Sequence, residues 1–166
     1  MAQLTGGPGI IVKGGAGTGT AVTGSVDDAA VVPVGTRAIG PTGDEYIYML
    51  GVASTVLGSA VTYDENYATT LVVANAIGPV AFAMAAIVAS KYGWYCVRSP
   101  AGGMSVNTDS GIGDNGLVYI DGTAGRVDDT AVTGDRLLNA VFRGTDTSNY
   151  ALCQFDYPSV TDAYGA

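Results

Sequence analysis

The chain has 166 residues, a net charge of −8 at pH 7 and no histidine. Its length suffices for one domain with a core of its own, and 48 % hydrophobic against 13 % charged residues argues against disorder. The seven lysines and arginines are scattered, which disfavours nucleic-acid binding. The lack of histidine removes the commonest general base and metal ligand. The low charge density indicates a surface that is covered in an oligomer or a larger assembly.

Residues 1–40 are rich in glycine, and we expect them to form an extended N-terminal arm. Two apolar runs interrupt the stretch, one at Ile10, Ile11 and Val12 and one that includes Val31 and Val32. Apolar residues on an extended segment need a surface to cover them. These five residues are therefore candidate interface residues, with an undocked flexible tail as the alternative.

Residues 41–166 are predicted to form one all-β domain, a β-sandwich or a barrel. Short runs rich in β-branched and aromatic residues recur at roughly ten-residue spacing, with turn residues between them. Residues 99–103 and 156–158 are expected to be turns that each end a strand. The run 136–143 fits a short helix or a strand, and the strand is favoured. The predicted strands are 45–52, 60–63, 69–77, 80–89, 92–98, 116–120, 136–143 and 150–155.

Residues 71–90 contain no charge and are long enough to span a bilayer. However, Asn75 is polar, and Gly78-Pro79 interrupts the run with a turn dipeptide. We therefore predict two short buried strands here and no membrane span.

The second of these strands alternates between large and small side chains, with a period of two. A face of alanines permits close approach by another sheet or chain. The large residues are Val80, Phe82 and Met84, and the small ones are Ala81, Ala83 and Ala85.

Searches for catalytic patterns give no enzyme site. Without histidine, a nucleophilic serine would need a lysine as its base. Ser90 and Lys91 are adjacent, and neighbours on a strand point to opposite faces. The glycine-rich stretch 14–20 has no lysine after its last glycine and lacks the GxGxxG spacing, so it predicts no phosphate or cofactor site.

No metal site is expected from the cysteines, because two thiols without histidine cannot complete a structural zinc site. Cys96 and Cys153 could form one disulfide, but each lies in an apolar run, which favours buried reduced thiols. Residues 107–111 resemble the start of a calcium loop, yet Val118 stands where the bidentate glutamate is expected. Calcium bound between chains stays open as an alternative.

Three stretches resemble the capsid decoration, or cement, proteins of tailed bacteriophages. They are residues 61–64 (VTYD) before 70–76 (TLVVANA), residues 78–81 (GPVA), and residues 86–97 (AIVASKYGWYCV). They cover about a third of the chain and form a pattern of small and apolar residues without a catalytic motif.

This resemblance implies a non-enzymatic virion protein on the outer surface of the capsid, assembled in the host cytoplasm. It implies a homotrimer that stabilises the head by bridging neighbouring capsomers, with the major capsid protein as partner. Tyr92 and Trp94 then become candidate intersubunit anchors, with an ordinary core role as the alternative.

Two other functions stay open. One is a different virion component, such as a head fibre or a tail protein. The other is a surface carbohydrate-binding β-domain, which would present exposed aromatic side chains beside acids.

Overall fold

The computed structural model describes residues 26–40 and 42–161, and these contain strands and turns but no helix. The predicted all-β fold class is confirmed. The strands are β1 (Val26–Asp27), β2 (Arg37–Ile39), β3 (Glu45–Leu50), β4 (Ala60–Tyr63), β5 (Thr69–Leu71), β6 (Gly78–Ala83), β7 (Tyr92–Asn107), β8 (Leu117–Ile120), β9 (Val127–Asp128), β10 (Arg136–Phe142) and β11 (Tyr150–Val160).

The strands form one antiparallel sheet in the order β2-β3-β7-β6-β11-β10-β8-β9. Outside this order, β4 pairs with β6 and with β5, and β1 pairs with β7. The sheet is not closed into a barrel, so the sandwich is the architecture that fits.

Two hydrophobic cores lie on the two faces of the central strands. The main core collects inward side chains from both ends of the strand order, including Tyr48, Phe142 and Phe155. The second core lies behind β3, β6 and β7 and contains Ile47 and Tyr95. Both faces of the central strands are therefore covered within one chain.

Strand β6 divides its side chains between the two cores, as its alternation predicts. The large side chains fill the main core, and the alanines let the second core approach the backbone closely. Val80 and Phe82 belong to the main core, and Ala81 and Ala83 to the second. Just beyond the strand, Met84 and Ala85 continue the same division.

Most predicted strands are found with shifted ends. The strand at 60–63 has the predicted bounds, and residues 136–142 form a strand, as favoured over a helix. The charge-free run does give two strands, but β5 ends at Leu71 and β6 runs only from Gly78 to Ala83. The prediction that both are buried is wrong for β5, where Thr70 is exposed. Asn75 takes a left-handed φ of 61° between them, which makes the turn earlier than predicted.

Two predicted turns are wrong, because both strands continue through them. Strand β7 runs on from Ser99 to Asn107, and four of its residues bulge out opposite Gln154. Strand β11 runs on to Val160 although Tyr157 adopts a φ of 47°. A bulge absorbs the irregular residues in each case, so the pairing resumes beyond them.

Two strands of the sheet fall within the predicted arm. Strand β1 pairs with Tyr92 and Gly93 of β7, and β2 pairs with β3. Residues 1–25 lie outside the described ranges, so the arm stays a prediction there.

Within the described ranges, no helix has the length and apolar content needed to cross a bilayer.

Candidate interaction surface

Large apolar side chains remain exposed at several separate places on the described part of the chain. Their exposed fractions run from 39 % at Val88 to 72 % at Ile77. They are Val26, Val31, Ile39, Val56, Leu57, Val73, Ile77, Val88, Leu117, Val132, Leu152 and Tyr157. They lie on strands and loops along most of the described sequence, so apolar area is open to contact at several separate places.

The predicted interface residues of the arm fall into three environments. Ile10, Ile11 and Val12 lie outside the described residues. Val31 is 54 % exposed, whereas Val32 is half-buried against the main core. The side chain of Val31 is therefore open to a partner, whereas that of Val32 already packs against the core of its own chain.

Trp94 and Tyr92 occupy one corner of the main core. Trp94 is only 3 % exposed, and its ring meets the ring of Tyr48 edge to face at 5.2 Å between centroids. The ring of Tyr92 also stacks on that of Tyr48, at 6.2 Å between centroids, and remains half-buried. Trp94 thus acts as a core residue of its own chain, and Tyr92 is the one with surface left for contact.

Hydrogen bonds of the Tyr48 hydroxyl attach the start of the described chain to this corner. The hydroxyl donates to Oδ2 of Asp27 at 2.8 Å and accepts the N–H of Val31 at 3.4 Å. Burial, followed by the bond to Asp27, raises the pKa of Tyr48 to about 12. The tyrosine stays neutral at physiological pH and fixes residues 27–31 on the body.

Strand β2 ends the sheet and offers an open backbone edge. Gly40 donates to Asp44 and Tyr48 donates to Thr36, so the even-numbered residues of this ladder face β3. In an antiparallel ladder the residues between them point their N–H and C=O groups the other way. Arg37 and Ile39 therefore present two donors and two acceptors outward, and no described strand pairs with them.

A row of charged side chains crosses the sheet from this edge, because Ile39 pairs with Glu45, Glu45 with Arg98, and Arg98 with Asp156. The Tyr157 hydroxyl donates to Glu45, and the Arg37 guanidinium lies 5.8 Å from the centroid of the Tyr157 ring. Arg98 links Glu45 at 3.7 Å to Asp156 at 3.1 Å. The bond to Glu45, more than burial, raises the pKa of Tyr157. Arginine and tyrosine are the residue types that dominate binding energy at protein interfaces.

We call this set the β2 edge surface: Arg37, Ile39, Glu45, Arg98, Asp156 and Tyr157. The sequence analysis missed it. An apolar residue beside an arginine was visible at residues 37–39. However, nothing in the sequence showed that this segment ends the sheet or that Tyr157 lies over it.

Several acidic residues bond arginine, lysine, hydroxyl or backbone N–H groups. Asp109 of the calcium-like loop bonds Arg126, and Lys91 bonds Asp28 at 2.5 Å. Within the described residues no three acidic or thiol groups come together.

The two cysteines are free and buried, as the favoured interpretation has it. Burial raises the pKa of each thiol, Cys96 and Cys153, to about 12. Both thiols are therefore protonated and act as small apolar core groups.

Aromatic residues suited to a sugar site are mostly turned inward. Tyr63 and Tyr67 stack at 6.4 Å but pack against the second core. Asp64 between them accepts two backbone N–H groups of its own turn. Among the described residues, Tyr157 is the only exposed aromatic side chain.

Comparisons of the chain with protein-family models, with curated proteins and with solved structures find no match.

Proposed function

We propose that this chain is a non-enzymatic virion structural protein, a capsid decoration protein that stabilises the head of a tailed bacteriophage. It lies on the outer surface of the capsid, binds the major capsid protein as a homotrimer and bridges neighbouring capsomers. The sequence resemblance suggests this class of protein, and the surface of the described residues supports it.

The observation that carries the proposal is the dispersed set of exposed apolar side chains on a body whose cores are complete. The single chain already buries Trp94 and both faces of its central strands. Each further contact would bury apolar area worth roughly 25 cal/mol per Å². Several weak contacts made at once strengthen one another through effective concentration.

The test uses phage heads that lack this protein, obtained by deleting its gene. Adding the purified full chain should restore the resistance of the heads to heat and osmotic shock. A chain without residues 1–25 should fold, because β1 and β2 are retained, but should attach more weakly. Heads that resist equally well with and without the protein would overturn the proposal.

Another virion component, such as a head fibre or a tail protein, shares the supporting features. Imaging of labelled particles separates these locations, because a decoration protein covers the head in many copies. Label confined to a vertex or to the tail would favour the alternative.

A carbohydrate-binding domain is favoured by one observation, the exposed Tyr157 beside Glu45 and Asp156. A single ring is less than the aromatic platform that sugar sites usually offer. Binding of the purified chain to a glycan array, lost in Tyr157→Ala, would support this function over the first.

A further inference from the structure

We propose that the β2 edge accepts, as an added strand, the segment Ile10–Val12 from the N-terminal arm of a second copy of this chain. The inference rests on the proposed assembly role and names the contact by which copies join. Strand addition uses main-chain hydrogen bonds for affinity and alternate side chains for specificity.

The edge has the chemistry that strand addition requires. Arg37 and Ile39 point their N–H and C=O groups away from β3, and no described residue bonds them. Ile39 is 53 % exposed and supplies the apolar neighbour that an incoming isoleucine or valine would pack against. Natural proteins protect such edges with charge, proline or cover, because an exposed edge with an apolar residue invites pairing.

Charge and length point to the arm as the occupant. All fifteen acidic side chains lie from residue 26 onward, whereas residues 1–25 carry Lys13 and no acid. Lys13 directly follows Val12, and the rest of the chain carries fifteen acidic against six basic side chains, so the arm and the body have opposite net charge. Twenty-five extended residues reach about 80 Å, more than the width of a domain of this size.

The sheet topology favours a neighbouring copy over the same chain. The arm joins at Val26, whose strand pairs with β7, and β3 and β2 follow on the far side of β7. The new strand would therefore lie four strand spacings from β1, about 19 Å. Because both faces of β3 and of the first residues of β7 are buried, a chain's own arm would have to pass around these strands to reach the edge. An arm from another copy can approach the open edge directly.

The first experiment measures the mass in solution of the full chain and of the chain without residues 1–25, by analytical ultracentrifugation. The full chain should form an oligomer, and the chain without residues 1–25 should be a monomer. Ile39→Lys should raise the protein concentration at which the oligomer dissociates at least tenfold. Thr70→Lys, which changes an exposed residue of β5 away from this edge, should leave it unchanged. Equal behaviour of the two lysine variants would overturn the proposal.

A cross-link distinguishes exchange between copies from folding back. Ile39→Cys is combined with Ile10→Cys, Ile11→Cys or Val12→Cys, and each double variant is oxidised. Disulfide-linked oligomers on a non-reducing gel are the expected result. A linked monomer, or no link in any pair, would overturn the exchange.

Head binding is measured separately, so the two proposals can fail independently. A chain that oligomerises through β2 yet does not bind heads keeps this inference and overturns the proposed function. A monomer that protects heads overturns this inference alone.

Discussion

The carbonyl oxygen of Cys153 lies 2.6 Å from the point where a Cβ atom on Gly103 would stand. Gly103 has a φ of 84° and lies in the bulge of β7 that faces β11. The neighbouring Gly102 has almost the same φ, 83°, but has no heavy atom within 4 Å of its Cβ position. The two glycines therefore separate the effect of backbone conformation from the effect of crowding.

Gly103→Ala should lower the free energy of unfolding by about 3 kcal/mol or more, because it combines left-handed strain with a clash against backbone. Gly102→Ala, which meets only the strain, should cost about 1 kcal/mol. Urea denaturation of both variants measures the difference. Equal losses would show that the two strands do not approach closely at the bulge.

Tyr48→Phe should destabilise the protein by about 1 kcal/mol, because it removes the hydroxyl that bonds Asp27 and Val31. In Tyr48→Phe, the backbone amides of residues 26–32 should exchange their hydrogens faster than in the parent protein, and the increase should be larger there than in β10. Tyr119→Phe is the control, since no hydrogen bond to its hydroxyl is found among the described residues, and it should change stability by less than about 0.5 kcal/mol. Uniform exchange rates in the two variants would contradict the anchoring role.

Ala81→Leu should cost about 1–3 kcal/mol, because Ala81 is fully buried where β6 faces the second core. Ala86→Leu places the same side chain on an exposed residue just beyond the strand and should stay within about 0.5 kcal/mol. Thermal unfolding measures both. A tolerated leucine at residue 81 would mean that the alanine face of β6 is not tightly packed.

Cys96 and Cys153 should resist thiol reagents in the native protein at pH 8, because both are buried and protonated. Two thiols per chain should react after unfolding in guanidinium chloride. Titration with a chromogenic disulfide reagent gives the count in each state. Rapid native labelling of either cysteine would contradict its burial.

Stability should fall as the pH rises from about 9 to 12. Burial raises the pKa of Tyr48, Tyr95, Cys96 and Cys153 to about 12, above ordinary values of 10 for tyrosine and 9 for cysteine. Within this window the folded state holds protons that the unfolded chain has released, so raising the pH favours unfolding. Well below pH 9 these groups are protonated in both states, so they do not make the free energy of unfolding depend on pH.

The urea midpoint, measured at intervals from pH 8 to pH 11, tests this pH dependence. A constant midpoint across that range would show that these groups titrate alike in both states. Tyr48→Phe should have a shallower decline than the parent protein, because one of the shifted groups is absent.

The sequence predicted the fold class, and strand β6 shows why. Its period-two alternation of large and small residues records which side chain meets which core, and a local pattern suffices for that. The ends of β7 and β11 could not be predicted in the same way. Gly102, Gly103 and Tyr157-Pro158 have the composition of turns, and only pairing with distant strands carries the ladder past them.

The candidate surface was predicted less well for a related reason. Tyr92 and Trp94 were visible as large aromatic residues, but a sequence does not show whether its own chain supplies the covering ring, as Tyr48 does. The β2 edge surface depends on which strand comes last in the sheet and on contacts such as Arg37 with Tyr157, 120 residues apart in the sequence. Pairing over such separations leaves no local pattern.

Strand β7 belongs to both halves of the sandwich at once. Its first residues pair with β3, and its last residues pair with β11 across from the bulge. The described strands therefore cannot be separated into two sheets without cutting β7. Melting should therefore be all-or-none, and neither half is expected to survive as an autonomous fragment.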